Sequence, residues 1–266
     1  MKPHALVTND DGIESKFLHR LVDALSSEFQ ISVAAPTSEQ SWIGRAISRR
    51  KEIEVTDRSS VFSKDIKAWA LNGTPTDCVN IALGNLVERP VDIVLSGINI
   101  GYNTSESLIL SSGTIGGATE GAFWGLRAIA FSQSVPFKLF ENIRKSDGRT
   151  EGAFTNSIVS SAKHACQIAL KELEKPAVGN VVLNVNFPEQ TKDDTPHQET
   201  VPAKVQLGSL YRKNNAGNYE FHYSEGKILE KNEYSDRSVL ERGHISCSLL
   251  DFSQIGINSA KSSQPV

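Results

Sequence analysis

The chain has little of what would mark several common functional classes. Its three cysteines, Cys78, Cys166 and Cys247, are too far apart for the short spacing of a zinc site. They read as reduced residues packed in a cytoplasmic protein. No apolar run approaches the roughly 18 residues a membrane-spanning helix requires. Met1-Lys2-Pro3 leads straight into an apolar segment, without the pattern of a signal peptide. Neither sign of charge dominates: 28 Lys and Arg stand against 31 Asp and Glu, a formal net charge of -3. A nucleic-acid partner would call for a concentrated basic face. The one basic cluster, Arg45, Arg49, Arg50 and Lys51, reads as a solvated strand edge, its functional alternative being the steering of an anionic substrate. Histidine is missing from the polar loops that close the strands, so a Ser-His-Asp triad has no parts. The first strand lacks the glycine-rich fingerprint of a dinucleotide fold.

What is present is organised around Ala5-Leu-Val-Thr-Asn-Asp-Asp-Gly-Ile13. Residues 5–7 have the apolar character of a buried central strand. The run ends in Asn9, Asp10, Asp11 and Gly12, and glycine allows the backbone to leave the strand there. Two adjacent aspartates aimed at one point repel each other unless a cation sits between them, and hard divalent cations prefer such oxygen ligands. Asn, Asp and Gly are also the commonest turn residues, so a plain surface turn is the competing reading.

Residues 15–27 carry apolar side chains at helical spacing, with Ser15 as N-cap. A second strand spans 31–35. Residues 47–55 and 68–71 read as strands of a β-hairpin excursion. After the turn at 72–75, Thr76 or Asp77 caps a helix running to 86. A third strand, 91–95, ends in Ser96-Gly97-Ile98-Asn99, and a polar loop covers 100–112. Residues 114–124 form a helix of small residues, 128–131 a fourth strand, 153–173 a long helix and 181–186 a fifth strand. This alternation predicts an α/β protein, a Rossmann-like doubly wound, mostly parallel sheet. Past Pro188 the pattern changes to strands at 201–207, 219–223 and 244–249 without helices. The expected organisation is therefore a catalytic core over 1–188 and a β-rich C-terminal extension over 189–266, acting as an oligomerisation arm or lid and not folding by itself.

The loops bearing Asp10 and Asp11, Ser41, Asn99, and Ser112-Gly113-Thr114 all follow predicted strands. In a parallel sheet they share one edge, where open α/β folds bind ligands. Asp10, Asp11, Ser41 and Asn99 offer only hard oxygens, a donor set for one Mg²⁺ or Mn²⁺ rather than zinc. Ser112, Gly113 and Thr114 at a helix start offer free N–H groups to an anion, with ordinary N-capping as the alternative. A cation beside an anion cradle points to phosphate-ester chemistry.

These residues give the chain a family likeness. It resembles the SurE family, the stationary-phase survival 5′-nucleotidases. The likeness rests on Val7-Thr-Asn-Asp-Asp-Gly-Ile13, Ala35-Pro-Thr-Ser-Glu-Gln-Ser41, Asn72-Gly-Thr-Pro-Thr-Asp-Cys-Val79, Leu95-Ser-Gly-Ile-Asn99 with Gly101 and Asn103, and Ser112-Gly-Thr114 with Glu120-Gly121, extended by Asn184-Val-Asn-Phe-Pro188. The resemblance implies a Rossmann-like phosphohydrolase acting on nucleoside 5′-monophosphates. It further implies one divalent metal per subunit held by Asp10, Asp11, Ser41 and Asn99, with an aspartate as proton shuttle. Phosphate would lie against Ser112, Gly113 and Thr114, with Asn103 contacting substrate. It also implies a homodimer or homotetramer with an exchanged C-terminal segment. A broader phosphatase acting on 3′-nucleotides or short polyphosphate, or a non-catalytic nucleotide-binding protein, are the alternatives. The chain departs from the family pattern at Trp42, which stands where a small residue is usual, at Phe17 in place of a common glycine, and in the loop 104–111.

Overall fold

The structure, a computed structural model, describes residues 1–255; residues 256–266 of the expected extension lie outside them. Strand β1 (His4–Thr8) is buried along its whole length. Neighbouring side chains on a strand face opposite ways. Ala5 and Val7 accordingly join one helical layer and Leu6 the other. Helix α1 (Lys16–Leu25) buries Phe17, Leu18, Leu21, Val22 and Leu25, one apolar stripe. Ser15 stands at its cap position but its side chain makes no cap bond. The first helical N–H, of Lys16, donates instead to the Asp147 carbonyl at 2.7 Å.

Strand β2 (Gln30–Pro36) runs parallel to β1. The excursion is smaller than the sequence suggests. Only β3 (Val55–Asp57) pairs, antiparallel, with β4 (Lys67–Leu71), because residues 48–52 are charged or polar and largely solvated. Helix α2 (Pro75–Ile81), continued by a wider turn over Ala82–Leu86, is capped by Thr74 and not by Thr76 or Asp77. The Thr74 hydroxyl accepts the Asp77 N–H while Asp77 accepts the Thr74 N–H, a reciprocal capping box with proline at the first helical position.

Strand β5 (Ile93–Ile100) runs past the expected end at 95, taking Asn99 into the strand beyond a shift of register between Ser96 and Asn99. Gly97 makes that passage possible: its φ is +132°, and a Cβ there would lie 2.3 Å from the Phe131 carbonyl oxygen. The predicted polar loop 100–112 contains helix α3 (Ser105–Ser111), and α4 (Gly113–Phe123) follows directly. Then come β6 (Arg127–Gln133), α5 (Phe137–Lys145), α6 (Ala153–Leu173) and β7 (Val181–Phe187). Helix α5 has no counterpart in the sequence reading, because Ile143 is its one buried residue.

The last segment supplies β8 (His197–Thr200), β9 (Val205–Gln206), β10 (Tyr211–Lys213), β11 (Tyr219–Phe221), β12 (Lys227–Ile228), α7 (Asp236–Glu241) and β13 (Ile245–Asp251). The sheet order is β3-β4-β2-β1-β5-β6-β7-β13-β8. Strands β8 and β13 therefore belong to the main sheet, β13 lying antiparallel to β7. Strands β9–β12 make two short ladders of their own, and α7 interrupts the expected all-β run. From β1 the chain winds outward to β2 and β4 on one side and to β5, β6 and β7 on the other. The reversal thus falls between β1 and β5, the place where open α/β sheets bind ligands.

Candidate active site

Asp10 and Asp11 leave β1 at this reversal, and Asn99 sits at the end of β5 beside them. A bulge is a device for re-aiming a side chain. Here it turns Asn99 into a cavity of about 600 Å³ that Asp10, Ser41, Asn103 and Ser112 also line. Asp11, Gly113 and Thr114 stand behind that wall. Asp11 Oδ2 accepts the Ile100 N–H at 2.9 Å. Thr114, with no exposed surface, donates its hydroxyl to Asp10 Oδ1 at 2.6 Å. A Cβ on Gly113 would meet Asp10 Cβ at 2.8 Å and Oδ2 at 2.9 Å, so glycine is what lets α4 close onto this corner.

The start of α4 packs against the Asp10 carboxylate. Hydrogen bonds from the Thr114 hydroxyl and amide favour the charged form of Asp10, as a helix N-terminus should, but burial outweighs them and raises its pKa. Asp11 is raised well above the ordinary carboxylate range by burial first and then by the charge of Asp10. Ser112 caps α4 by accepting the Ile115 N–H at 3.2 Å, so the plain capping role holds while its surface still reaches the cavity.

The donor chemistry suits a hard divalent cation. Asp10 and Asp11 each spend an oxygen on an internal bond, and Asn99 turns its amide nitrogen to the Gly101 carbonyl at 2.8 Å, which frees its oxygen. Ser41, exposed, donates to Glu39 Oε1 at 2.7 Å and keeps its lone pairs. Two buried carboxylates, the charge of Asp10 adding to the shift of Asp11, form a pair that a cation would relieve. Among the described residues no cluster of three or more His, Cys, Asp or Glu converges, so the set is one of carboxylates and neutral oxygens.

Asn103 is held on several sides. Its N–H donates to Asn186 Oδ1 at 2.7 Å, its Nδ2 to Ser132 Oγ at 2.9 Å, and its carbonyl accepts from Asn184 and Asn186. Sequence reasoning treated Asn184 and Asn186 as motif letters only. Their alternate spacing on β7 places both on one face, the signal that could have assigned them to this support. Also unforeseen is the far wall: Phe221, which ends β11, and His222, Tyr223 and Glu225, which follow it, line the same cavity. Trp42 packs against Phe221 and Tyr223, with centroids 5.1 and 6.0 Å away. The charged side chains in the lining are Asp10, Glu141, Glu189 and Glu225, with no lysine or arginine.

A family model described as Survival protein SurE matches residues 5–208. A protein of Methanosarcina mazei named 5′-nucleotidase SurE is 33% identical over 96% of this chain and 97% of its own length. One of the same name from Methanocaldococcus jannaschii is 34% identical over 92% and 90%. The crystal structure of the SurE protein of Aquifex aeolicus superposes with a TM-score of 0.73 and 24% identity, covering 98% of this chain and 97% of that one, a likeness of fold. With the β1 corner, the bulged β5 and the glycine-tight start of α4 all inside the matched span, the chain belongs to the SurE family.

Proposed function

We propose that the chain is a divalent-metal-dependent phosphohydrolase releasing phosphate from nucleoside 5′-monophosphates. The observation that carries this reading is the charge of the cavity. A phosphate monoester is an anion, and the wall it would enter holds four carboxylates and no lysine or arginine. Such a wall repels the substrate unless a cation is bound, and the residues fitted to hold one, Asp10, Asp11, Ser41 and Asn99, are those described above. When bound, Mg²⁺ or Mn²⁺ supplies positive charge against the phosphoryl oxygens and acidifies water.

The side chains divide the remaining work. Thr114 and the α4 N-terminus hold Asp10 in one orientation, and the Ile100 amide does the same for Asp11. The cavity edge at Ser112, with Gly113 behind it, lies where the phosphate would rest. Asn103, fixed by Asn184, Asn186 and Ser132, presents its amide to the substrate. The shuttling of the proton needed by the departing nucleoside oxygen is assigned to one of the two aspartates. The names carried by the relatives support the nucleotide as substrate class.

The test is phosphate release from AMP by metal-stripped protein with and without added Mn²⁺ or Mg²⁺. Activity should appear with metal, disappear with EDTA and return with excess metal, and 5′-AMP should be cleaved faster than 3′-AMP or tripolyphosphate. No release at saturating metal overturns the reading.

A further inference from the structure

The rim residues provide for a phosphate and a cation but not for the rest of a nucleotide. The rest of the cavity lining is rich in aromatic residues: Trp42, Tyr102, Phe137, Phe140, Phe221 and Tyr223 all line it. Single exposed aromatics are ordinary on a protein surface, whereas six around one concavity make a surface suited to a flat, apolar ligand group. Trp42 directly follows Ser41, so the indole is attached beside the proposed cation and not at some remote point of the mouth.

The geometry at Trp42 is unusual in two respects. Its φ is +60°, a region that a bulky side chain seldom adopts and that recurs at ligand clamps. The residue is 39% exposed although two aromatic side chains of the opposite wall approach it. The Trp42–Phe221 planes meet at 63°, an edge-to-face pair, and the exposure of Trp42 leaves surface for a third partner. Tyr223 is itself anchored, its hydroxyl 3.1 Å from that of Tyr102, whose ring lies 5.9 Å from the Arg237 guanidinium. The platform therefore has a fixed side and an open face.

Every nucleobase has a π-face, and stacking on aromatic side chains is the general means by which proteins hold bases without reading their edges. We propose that Trp42, with Phe221 and Tyr223 facing it, is the base-stacking platform of this cavity. It makes the chain prefer phosphate esters that carry a nucleobase over bare sugar phosphates, and purines over the smaller pyrimidines. This inference rests on the cavity being a nucleotide site. A rival role for the three rings is a latch that fastens the 221–225 segment and touches no substrate.

The experiment compares wild-type protein, Trp42→Ala and Trp42→Phe in two assays. The first measures kcat/KM for AMP, CMP and ribose 5-phosphate with Mn²⁺. The second measures adenosine binding by calorimetry, which needs no hydrolysis. In Trp42→Ala the AMP to ribose 5-phosphate ratio should fall on the order of tenfold, with adenosine binding weakened alike and Trp42→Phe recovering most of both. An unchanged ratio, even with both rates reduced, means a latch and overturns the platform, as does adenosine binding indifferent to Trp42. Adenosine binding that depends on Trp42 in a protein releasing no phosphate upholds the platform while removing the hydrolase.

Discussion

The sheet rim that carries Asp10 and the segment that carries Phe221 face each other across one cavity, and they are built differently. The rim is buried around Asp10: Thr8, Asn9, Asp10, Ser112 and Thr114 are each less than a tenth exposed, while Ser41 stands exposed at its edge. Its side chains are oriented by hydrogen bonds from strands and a helix start that belong to the central core. The opposite segment adjoins a short ladder, β10 with β11, whose residues are exposed throughout. What holds it to the rim is aromatic contact, Trp42 with Phe221 and Tyr223, and the Tyr102–Tyr223 pair. The rim has the rigidity that charge chemistry needs. The facing wall has the aromatic surface that the proposed base stacking calls for.

Three measurements would break or sharpen this contrast. The largest effect is expected at Asp10. Asp10→Asn keeps the shape but removes a charge from the proposed cation site, and should lower metal-dependent phosphate release on the order of 10³-fold, with the circular dichroism spectrum unchanged. Activity retained in this variant would return the corner to an ordinary turn. Next comes a matched pair of truncations. Phe131, fully buried and stacked on Phe187 at 6.0 Å, should cost about 3–5 kcal/mol of stability when cut to alanine. Phe221→Ala, on the exposed wall, should cost about 1 kcal/mol or less. Equal losses in urea unfolding would show that the wall is as integral as the rim.

The smallest effect is a pH dependence. Asp10 and Asp11 have pKa values raised by burial, so without a cation the folded protein holds their protons more tightly than the unfolded chain does. Their contribution is most favourable in acid and is lost as pH rises from the ordinary aspartate value of 3.8 through the raised values. A cation replaces those protons, so Mn²⁺ should raise the melting temperature more at pH 7.5 than at pH 5. Apparent affinity should weaken by up to about tenfold per pH unit where one proton is displaced. Protection by Mn²⁺ that ignores pH would remove the aspartates from the ligand set.

The sequence made local features readable and long-range ones obscure. Helix α6 was expected over the residues it occupies, because its apolar spacing is sustained for many turns. The burial of β1 followed from its composition. Helices α3 and α5 escaped: the first is seven residues long and opens on Ser-Glu-Ser, and the second rests on the core through one residue. The placing of Asn99 inside β5 depends on a bulge whose meaning lies in its neighbour β6. The convergence of Asp10, Ser41, Asn99 and Ser112 was legible because loops after parallel strands share an edge. Which wall residues 221–225 cover was not, since alternation in a strand tells which residues share a face and not what that face meets. The entry of β8 and β13 into the main sheet escaped for the same reason: pairing partners some sixty residues apart leave no local mark.

The position of β13 has a consequence for the cavity. Ser246 pairs with Asn186, and Asn186 in turn fixes Asn103 at the cavity. A chain lacking that strand would have every proposed cation ligand in hand and yet an open seam along β7. The support behind the cavity wall is in this way tied to a strand some sixty residues further along the chain.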